Sequence, residues 1–200
     1  MKIYIATKNA KKLVELKRIL EPMGFEVLCQ KDLDFEVPDV EETGTTFEEN
    51  ALLKAHSGLE ATGYISVADD SGICVDYLGG APGIFSARYS GENATDEKNN
   101  AKLLAELEGV PIEQRTAYYV AAIACVFPDG REFTVRGECH GYIDTCMHGD
   151  GGFGYDPMFI SEIGCFGEVS AEEKDKVSHR GRALKVFKEE LKKYISGENN

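Results

Sequence analysis

Three carboxylates interrupt an otherwise apolar stretch at residues 66–76, SVADDSGICVD. Asp69 and Asp70 are adjacent, and Asp76 ends the stretch. Because an unpaired buried carboxylate is costly to desolvate, a protein cation, solvent or a metal ion must balance this cluster. Paired carboxylates suit Mg²⁺, which binds one or two of them together with waters and phosphate oxygens. The structural alternative is a solvated or salt-bridged acidic turn, and Asp76 has no predicted role.

If Asp69 and Asp70 continue the preceding strand, their side chains point in opposite directions. Successive side chains of a strand point to opposite faces, so Asp69 and Asp70 are not expected to line the same pocket. We predict a strand near 65–68 that ends at this pair, with Ser71 and Gly72 forming the turn after it. Two glutamates ahead of the preceding helix, at positions 41 and 42, add further candidate carboxylates.

A second polar stretch, ATKNAKK at 6–12, lies where a predicted strand passes into a helix. Such a junction presents backbone N–H groups and the positive end of the helix dipole, which suits phosphate. Thr7 and Asn9 add donors, and three lysines add positive charge: Lys8, Lys11 and Lys12. The stretch is not a P-loop, because the G-x-x-x-x-G-K-[ST] spacing is absent. The structural alternative is that Asn9 caps the helix and the lysines are solvated.

Two further stretches have residue types that contact a planar base. In GDGGFGYD at 149–156, glycines allow close approach of the backbone, and Phe153 or Tyr155 could stack on a ring. In EEKDKVSHRGRA at 172–183, His179 and Arg180 can donate to carbonyl or phosphate oxygens. The alternatives are a flexible turn with aromatics anchored in the core and a solvated first helical turn. Together the four stretches predict a site for a nucleoside triphosphate with magnesium.

The predicted secondary structure places these groups on a mixed β-sheet flanked by helices. A strand at 2–6, a helix from Lys11 to a capping Gly24 and a strand at 25–29 indicate an α/β protein. Later elements are a helix from the capping box of Thr46 and Glu49 to Gly63, a helix capped by Thr95 and running to Gly109, a hairpin of 116–127 and 131–137, and a last helix that begins at Ser178.

Composition limits the kind of protein. The 200 residues fit one domain over 1–200, and the net charge of −13 argues against binding a nucleic-acid backbone. No apolar run approaches the ~18–20 residues that cross a bilayer, so no membrane partner is expected. The six cysteines are scattered without a CxxC pair, which argues against zinc and favours reduced thiols in the cytoplasm.

These motifs, in this order, resemble the inosine triphosphate pyrophosphatase family, the XTP/dITP diphosphatases that act on noncanonical purine nucleotides. The resemblance covers about residues 3–195 and is carried by ATKNAKK, EETGTTFEENALLKA, ADDSGICVDYLGGAPGIFSARYSG, GGFGYDP and EEKDKVSHRGRAL. It implies an elongated two-lobed ITPase-like fold of the Maf/Ham1 type, with the active site in a cleft between the lobes, and usually a homodimer. The implied reaction is Mg²⁺-dependent hydrolysis of ITP, dITP or XTP to the monophosphate and pyrophosphate.

The resemblance also implies a role for each site residue. Asp70 would be the proton acceptor and a metal ligand, Glu41 the second ligand with Glu42 as the alternative, and Ser71 would touch substrate. Asp69 is not among the family's site residues, and strand alternation predicts that it is structural. The implied phosphate-binding residues are Thr7, Lys8, Asn9, Ala10, Lys11 and Lys12. The implied residues on the base and sugar side are Phe153, Gly154, Tyr155, Asp156, Lys174, His179 and Arg180, with Lys176 as the alternative to Lys174.

Two other functions compete with this interpretation. A magnesium-dependent phosphomonoesterase with an aspartate nucleophile would need a DxD-type strand end, whereas the order here is Asp-Asp-Ser. A nucleotide sensor without catalysis could use the same pocket, although pure binding does not need a positioned base.

Overall fold

A computed structural model describes residues 1–149 and 151–197. In this part of the chain the strands are β1 (Lys2–Ile5), β2 (Glu26–Leu28), β3 (Ile65–Val75), β4 (Thr116–Val126), β5 (Glu132–Ile143), β6 (Phe159–Ser161) and β7 (Gly164–Cys165). The α-helices there are α1 (Ala10–Leu20), α2 (Phe47–Thr62), α3 (Asp96–Glu106), α4 (Ala171–Val177) and α5 (His179–Ser196). Within the same residues, no helix is long and apolar enough to cross a membrane.

The strands form one mixed sheet in the order β2-β1-β3-β4-β5-β6-β7. β1 pairs in parallel with β2 and β3, whereas β6 pairs antiparallel with β5 and β7. The predicted mixed α/β sheet is therefore confirmed. The chain divides into two compact units, one of residues 1–70, 121–136 and the chain from Ala183 onward, the other of 71–120 and 137–182. The prediction of a single domain over 1–200 stays a prediction, and residues 198–200 lie outside the described residues.

Each unit has its own apolar core. In the first unit, the inner faces of α1 and α5 cover alternate residues of β1 and β3, which include Ile3, Ile5, Ile65 and Val67. In the second unit, Leu103 and Leu107 pack with aromatic side chains of the later strands, which include Phe159 and Phe166. The opposite face of the first unit's strands is covered by α2, because Gly58 lies against the side chains of Tyr4 and Ser66.

Helix ends follow the predicted capping chemistry. Thr46 and Glu49 form the capping box of α2, and Gly63 ends that helix in the left-handed region with φ 69°. Thr95 accepts from the N–H of Lys98 at the start of α3, and Ser178 accepts from the N–H of Gly181 at the start of α5. Small shifts of their ends apart, β1, α1, β2, α2, α3 and β4 lie where they were predicted. The second hairpin strand, β5, continues to Ile143 rather than ending at 137, and α4, β6 and β7 were not predicted.

One prediction about β3 is wrong. Ser71 and Gly72 do not form a turn, because β3 continues through them to Val75. Asp69 and Asp70 therefore lie inside a long strand rather than at its end. Pairing across the sheet outweighs the weak turn preference of Ser-Gly, since strand propensity depends strongly on tertiary context. Asp76 now has a partner, because Thr116 Oγ1 donates to its Oδ2 at 2.6 Å, next to the start of β4.

The close approach of α2 to the sheet at Gly58 yields a stability prediction. A Cβ at this position would lie 2.3 Å from Ser66 Oγ and 2.9 Å from Tyr4 Cδ1. We expect Gly58→Ala to lower the free energy of unfolding by about 1–3 kcal/mol, because overpacking costs more than the better helix propensity of alanine returns. Urea unfolding measures the change.

The matched control for this variant is Glu60→Ala, an exposed position on the same helix. Its free energy of unfolding should stay within about 0.5 kcal/mol of the wild type. A Gly58→Ala protein as stable as the control would show that α2 does not need this close contact.

Candidate functional site

Asp70 and Glu42 meet on one lysine ammonium in the first unit. Lys54 Nζ lies 2.9 Å from Asp70 Oδ1 and 3.0 Å from Glu42 Oε1. Asn50 Nδ2 lies 3.5 Å from the second oxygen of Asp70. Asn50 and Lys54 are four residues apart on α2, so both side chains lie on the helix face that covers β3. The cluster thus places two carboxylates around a single positive charge.

Burial and the ion pairs act in opposite directions on Asp70. Its side chain is only 11% exposed, and burial raises its pKa above the ordinary aspartate value although Lys54 opposes the change. Burial alone would lower the pKa of Lys54, but attraction and hydrogen bonds from Asp70 and Glu42 outweigh it and raise that pKa. The lysine therefore stays charged, and Asp70 is a stronger base than an exposed aspartate.

Asp69 faces the other side of β3, as strand alternation predicts. Its side chain is 1% exposed, and Lys12 Nζ from α1 lies 2.7 Å from its Oδ2. Lys12 is also the last residue of the candidate phosphate loop. Asp69 is thus a structural partner that fixes one end of this loop.

The loop that precedes α1 is organised by Asn9. Thr7 Oγ1 accepts from the N–H of Asn9, and Asn9 Oδ1 accepts from the N–H groups of Lys11 and Lys12 at 3.0 and 3.3 Å. Asn9 therefore caps α1, as the alternative to phosphate binding predicted. Capping uses the side-chain oxygen and leaves the amide donors to other uses. Ala10 and Lys11 are exposed at the start of the helix, and exposed Lys8 pairs with Asp39 at 2.6 Å.

The candidate metal-binding glutamates differ in position. Glu42 is half-buried on Lys54, whereas Glu41 is exposed. Glu42, which was predicted only as the alternative to Glu41 as second metal ligand, is thus the glutamate that shares Lys54 with Asp70. Among the described residues, no group of three or more His, Cys, Asp or Glu side chains forms a metal cluster. Mg²⁺ needs only one or two protein carboxylates, and two that already share one cation fit it.

In the second unit, Asp156 is the centre of the predicted base side. It is 2% exposed, Lys174 Nζ pairs with its Oδ2, and the N–H of Phe153 donates to the same oxygen at 2.8 Å. Burial raises the pKa of Asp156, and the lysine and the hydrogen bonds oppose that rise. Lys176 is exposed on α4, so Lys174 is the lysine at this cluster. Asp150, within the predicted 149–156 stretch, lies outside the described residues.

The two aromatic residues of this loop have different environments. Phe153 is 43% exposed, with the Lys174 ammonium 4.8 Å from its ring centre. Tyr155 is buried, and its hydroxyl donates to the carbonyl of Ser86 at 2.8 Å. Phe153 therefore keeps a ring surface for stacking, whereas Tyr155 anchors the loop in the core. Two side chains of α3 bind the backbone of Gly154. Asn100 donates to its carbonyl oxygen at 3.0 Å, and its N–H donates to the carboxylate of Asp96 at 2.7 Å.

His179 and Arg180 begin α5 and are both buried. Arg180 Nη2 donates to Ser71 Oγ at 3.1 Å, which joins two predicted substrate-binding residues. The imidazole of His179 stacks on Tyr119, with ring centres 4.7 Å apart and planes 11° from parallel. These residues are thus ordered by protein contacts rather than solvated on a helix surface.

Sequence reasoning missed three residues that organise the two clusters: Asn50, Lys54 and Tyr119. Asn50 and Lys54 stand in EENALLKA, within a stretch that carries the family resemblance. Their spacing of four on a capped helix is the available signal, since a polar pair on one face of an otherwise buried helix needs a polar partner. Tyr119 gives no comparable signal, because it is one of several aromatics in an apolar strand.

The comparisons with known proteins agree with this architecture. The chain belongs to the Ham1 family, whose model matches residues 3–190. It is 52% identical over 193 residues to a dITP/XTP pyrophosphatase of Geobacter sulfurreducens, covering 95% of this chain and 96% of that protein. The predicted family resemblance is therefore confirmed.

Solved structures give the same result. A HAM1 protein from Coxiella burnetii superposes with a TM-score of 0.89 at 36% identity, covering 96% of this chain and 99% of that one. A nucleoside-triphosphatase / dITP/XTP pyrophosphatase from Mycobacterium abscessus gives a TM-score of 0.81 at 48% identity, covering 94% and 98%. The fold is that of the Ham1 family.

The shared lysine yields a pH-dependent stability prediction. Without Lys54, the pKa of Asp70 should rise further, because burial would no longer be opposed by that charge. We expect Lys54→Met to lose about 2 kcal/mol of unfolding free energy at about pH 8, where more of Asp70 is ionised than at lower pH. The loss should shrink towards about pH 5, because protonation of the carboxylate removes its desolvation cost.

Urea unfolding at both pH values measures this dependence. Lys192→Met, which breaks an exposed pair with Glu189 on α5, is the control and should change the free energy by less than about 0.5 kcal/mol at either pH. A Lys54→Met loss that is equal at both pH values would contradict the electrostatic explanation.

Proposed function

We propose that this protein hydrolyses the deaminated purine nucleotides ITP, dITP and XTP between the α and β phosphates, releasing the monophosphate and pyrophosphate. The observation that carries the proposal is that buried Asp70 and half-buried Glu42 share the Lys54 ammonium, while Asp69, the neighbour of Asp70 on β3, binds Lys12 of the candidate phosphate loop. The curated relatives named dITP/XTP pyrophosphatase, 46–52% identical over most of the chain, support the substrate class.

Asp70 is the proposed proton acceptor. Its raised pKa makes it a better base near neutral pH, because efficient proton transfer requires an acceptor whose pKa approaches the working pH. Lys54 and Asn50 fix the rotation of its carboxylate. Asp70 would take the proton of the water that attacks the phosphorus, while Lys54 balances the charge around it.

The phosphates are proposed to lie along Thr7, Lys8, Asn9, Ala10, Lys11 and Lys12. The start of α1 supplies the positive end of a helix dipole, and the lysines would stabilise charge on the departing pyrophosphate. Lys12 is held by Asp69 of β3 at 2.7 Å and is much less exposed than Lys8.

The base is proposed to be selected by Lys174, His179 and Arg180, with Phe153 as a stacking surface and Asp156 as the group that orders them. A 6-keto purine accepts hydrogen bonds where adenine presents an amino donor. Rejection of adenine is then strong, because buried donors would be left unpaired. Ser71 is also proposed to contact substrate, because its hydroxyl is hydrogen-bonded to Arg180.

Mg²⁺ is the proposed cofactor, held by Asp70 and by Glu41 or Glu42. When bound, it would neutralise the triphosphate and lower the pKa of a coordinated water. We further propose a homodimer of single-domain chains in the cytoplasm, with neither nucleic acid nor membrane as partner. The net charge of −13 supports the exclusion of nucleic acid.

The reaction is tested by product analysis. The protein should convert ITP with Mg²⁺ to IMP and pyrophosphate, and ATP much more slowly. Asp70→Asn should lower kcat about 100- to 10,000-fold, the range for a lost general base, with the fold preserved. Asp69→Asn is the comparison on the opposite strand face, and its main effect should be a higher KM through Lys12.

Three results would contradict this function. Orthophosphate as the first product would indicate a phosphomonoesterase-type activity. Tight ITP binding without turnover would indicate a sensor. Near wild-type turnover by Asp70→Asn would place the base elsewhere.

The choice between Glu41 and Glu42 is tested by a magnesium titration of activity. Glu41→Gln and Glu42→Gln are matched substitutions at adjacent positions. The variant that removes the metal ligand should need at least about tenfold more Mg²⁺ for half-maximal activity, because the second-ligand charge is lost. The other variant should titrate like the wild type. Equal titrations for both variants and the wild type would exclude both glutamates as ligands.

A further inference from the structure

Tyr119 on β4 contacts two of the proposed base-selecting groups with different parts of one side chain. Its hydroxyl lies 3.3 Å from Asp156 Oδ1, and its ring stacks on the imidazole of His179. The residue is 7% exposed and belongs to the core of the second unit. A buried hydroxyl is costly to desolvate unless it is hydrogen-bonded, so the bond to Asp156 is the physical reason for tyrosine at this position.

The hydrogen bonds to Asp156 are divided between its two oxygens. Lys174 and the N–H of Phe153 bind Oδ2, and the Tyr119 hydroxyl binds Oδ1. Tyr119 thereby fixes the rotation of the carboxylate. Burial, together with the charge of Asp156, keeps the pKa of Tyr119 well above its usual value, so the phenol remains a donor.

The contact with His179 fixes the plane of a second group. Near-parallel packing at 4.7 Å covers one face of the imidazole, so polar contacts of His179 must be made through its ring edge. Tyr119 also packs edge-on against Phe159, with ring centres 4.8 Å apart. The aromatic ring is therefore held rigidly between the core and the proposed base side.

We propose that Tyr119 is a positioning residue for base selection, which sets the orientation of Asp156 through its hydroxyl and of His179 through its ring. The inference rests on the proposed function and extends it to a residue that acts through Asp156 and His179. It predicts that loss of the hydroxyl weakens recognition of the base without weakening recognition of the phosphates.

The test is Tyr119→Phe, which keeps the ring stacking and removes the hydroxyl. We expect the KM for ITP to rise about tenfold with kcat within twofold, because a hydrogen bond to a charged group is lost. The inhibition constant of inorganic tripolyphosphate, which has no base, should stay within twofold. Tyr118→Phe is the matched control, since Tyr118 is the neighbour on β4 and also stacks on a histidine, His140. Its kinetic constants should equal the wild-type values.

A double-mutant cycle with Asp156→Asn separates positioning from general destabilisation. If Tyr119 acts through Asp156, the effects of Tyr119→Phe and Asp156→Asn on the KM for ITP are less than additive. Fully additive effects, an unchanged KM in Tyr119→Phe, or equal weakening of ITP and tripolyphosphate would overturn the inference. Wild-type protein that fails to hydrolyse ITP would overturn the proposed function and this inference with it, whereas an unchanged KM in Tyr119→Phe overturns the inference alone.

Discussion

The site in the first unit depends on the charge balance of two adjacent carboxylates inside β3. Asp69 and Asp70 are both buried, and each is stabilised by a lysine from a different helix. Because strand side chains alternate, Lys12 of α1 serves one face and Lys54 of α2 serves the other. The two ion pairs therefore connect both helices to the same two residues of the sheet. Loss of either lysine would remove an ion-pair partner from a buried carboxylate.

The features that could be predicted from the sequence are those that depend on neighbouring residues along the chain. Alternation along a strand is local, so it separates Asp69 from Asp70 even when the strand is assigned too short. Capping at Thr46, Thr95 and Ser178 is local as well, and the helix starts were placed correctly. The continuation of β3 through Ser71 and Gly72 depends on neighbouring strands, which residue preferences do not describe.

The lysine partners show the same limit. Lys54 lies sixteen positions before Asp70, and only the packing of α2 on the sheet brings the two together. The spacing of Asn50 and Lys54 indicates a polar face but not its partner. The role of Tyr119 is still harder to predict, because its sequence context is that of an ordinary core aromatic. Its role depends on which side chains surround its hydroxyl, and that is a property of the tertiary structure alone.

The second unit repeats the physical solution of the first. Burial raises the pKa of Asp156, and a neighbouring lysine opposes that rise, as for Asp70. The lysines at these clusters, Lys12, Lys54 and Lys174, are each paired with an acid. They order the protein, but their charge is already compensated. A triphosphate bound to a chain with a net charge of −13 thus requires further positive charge. Lys8 is also paired, with Asp39 at 2.6 Å, so the Mg²⁺ proposed to lie on Asp70 and on Glu41 or Glu42 is the simplest source of that charge.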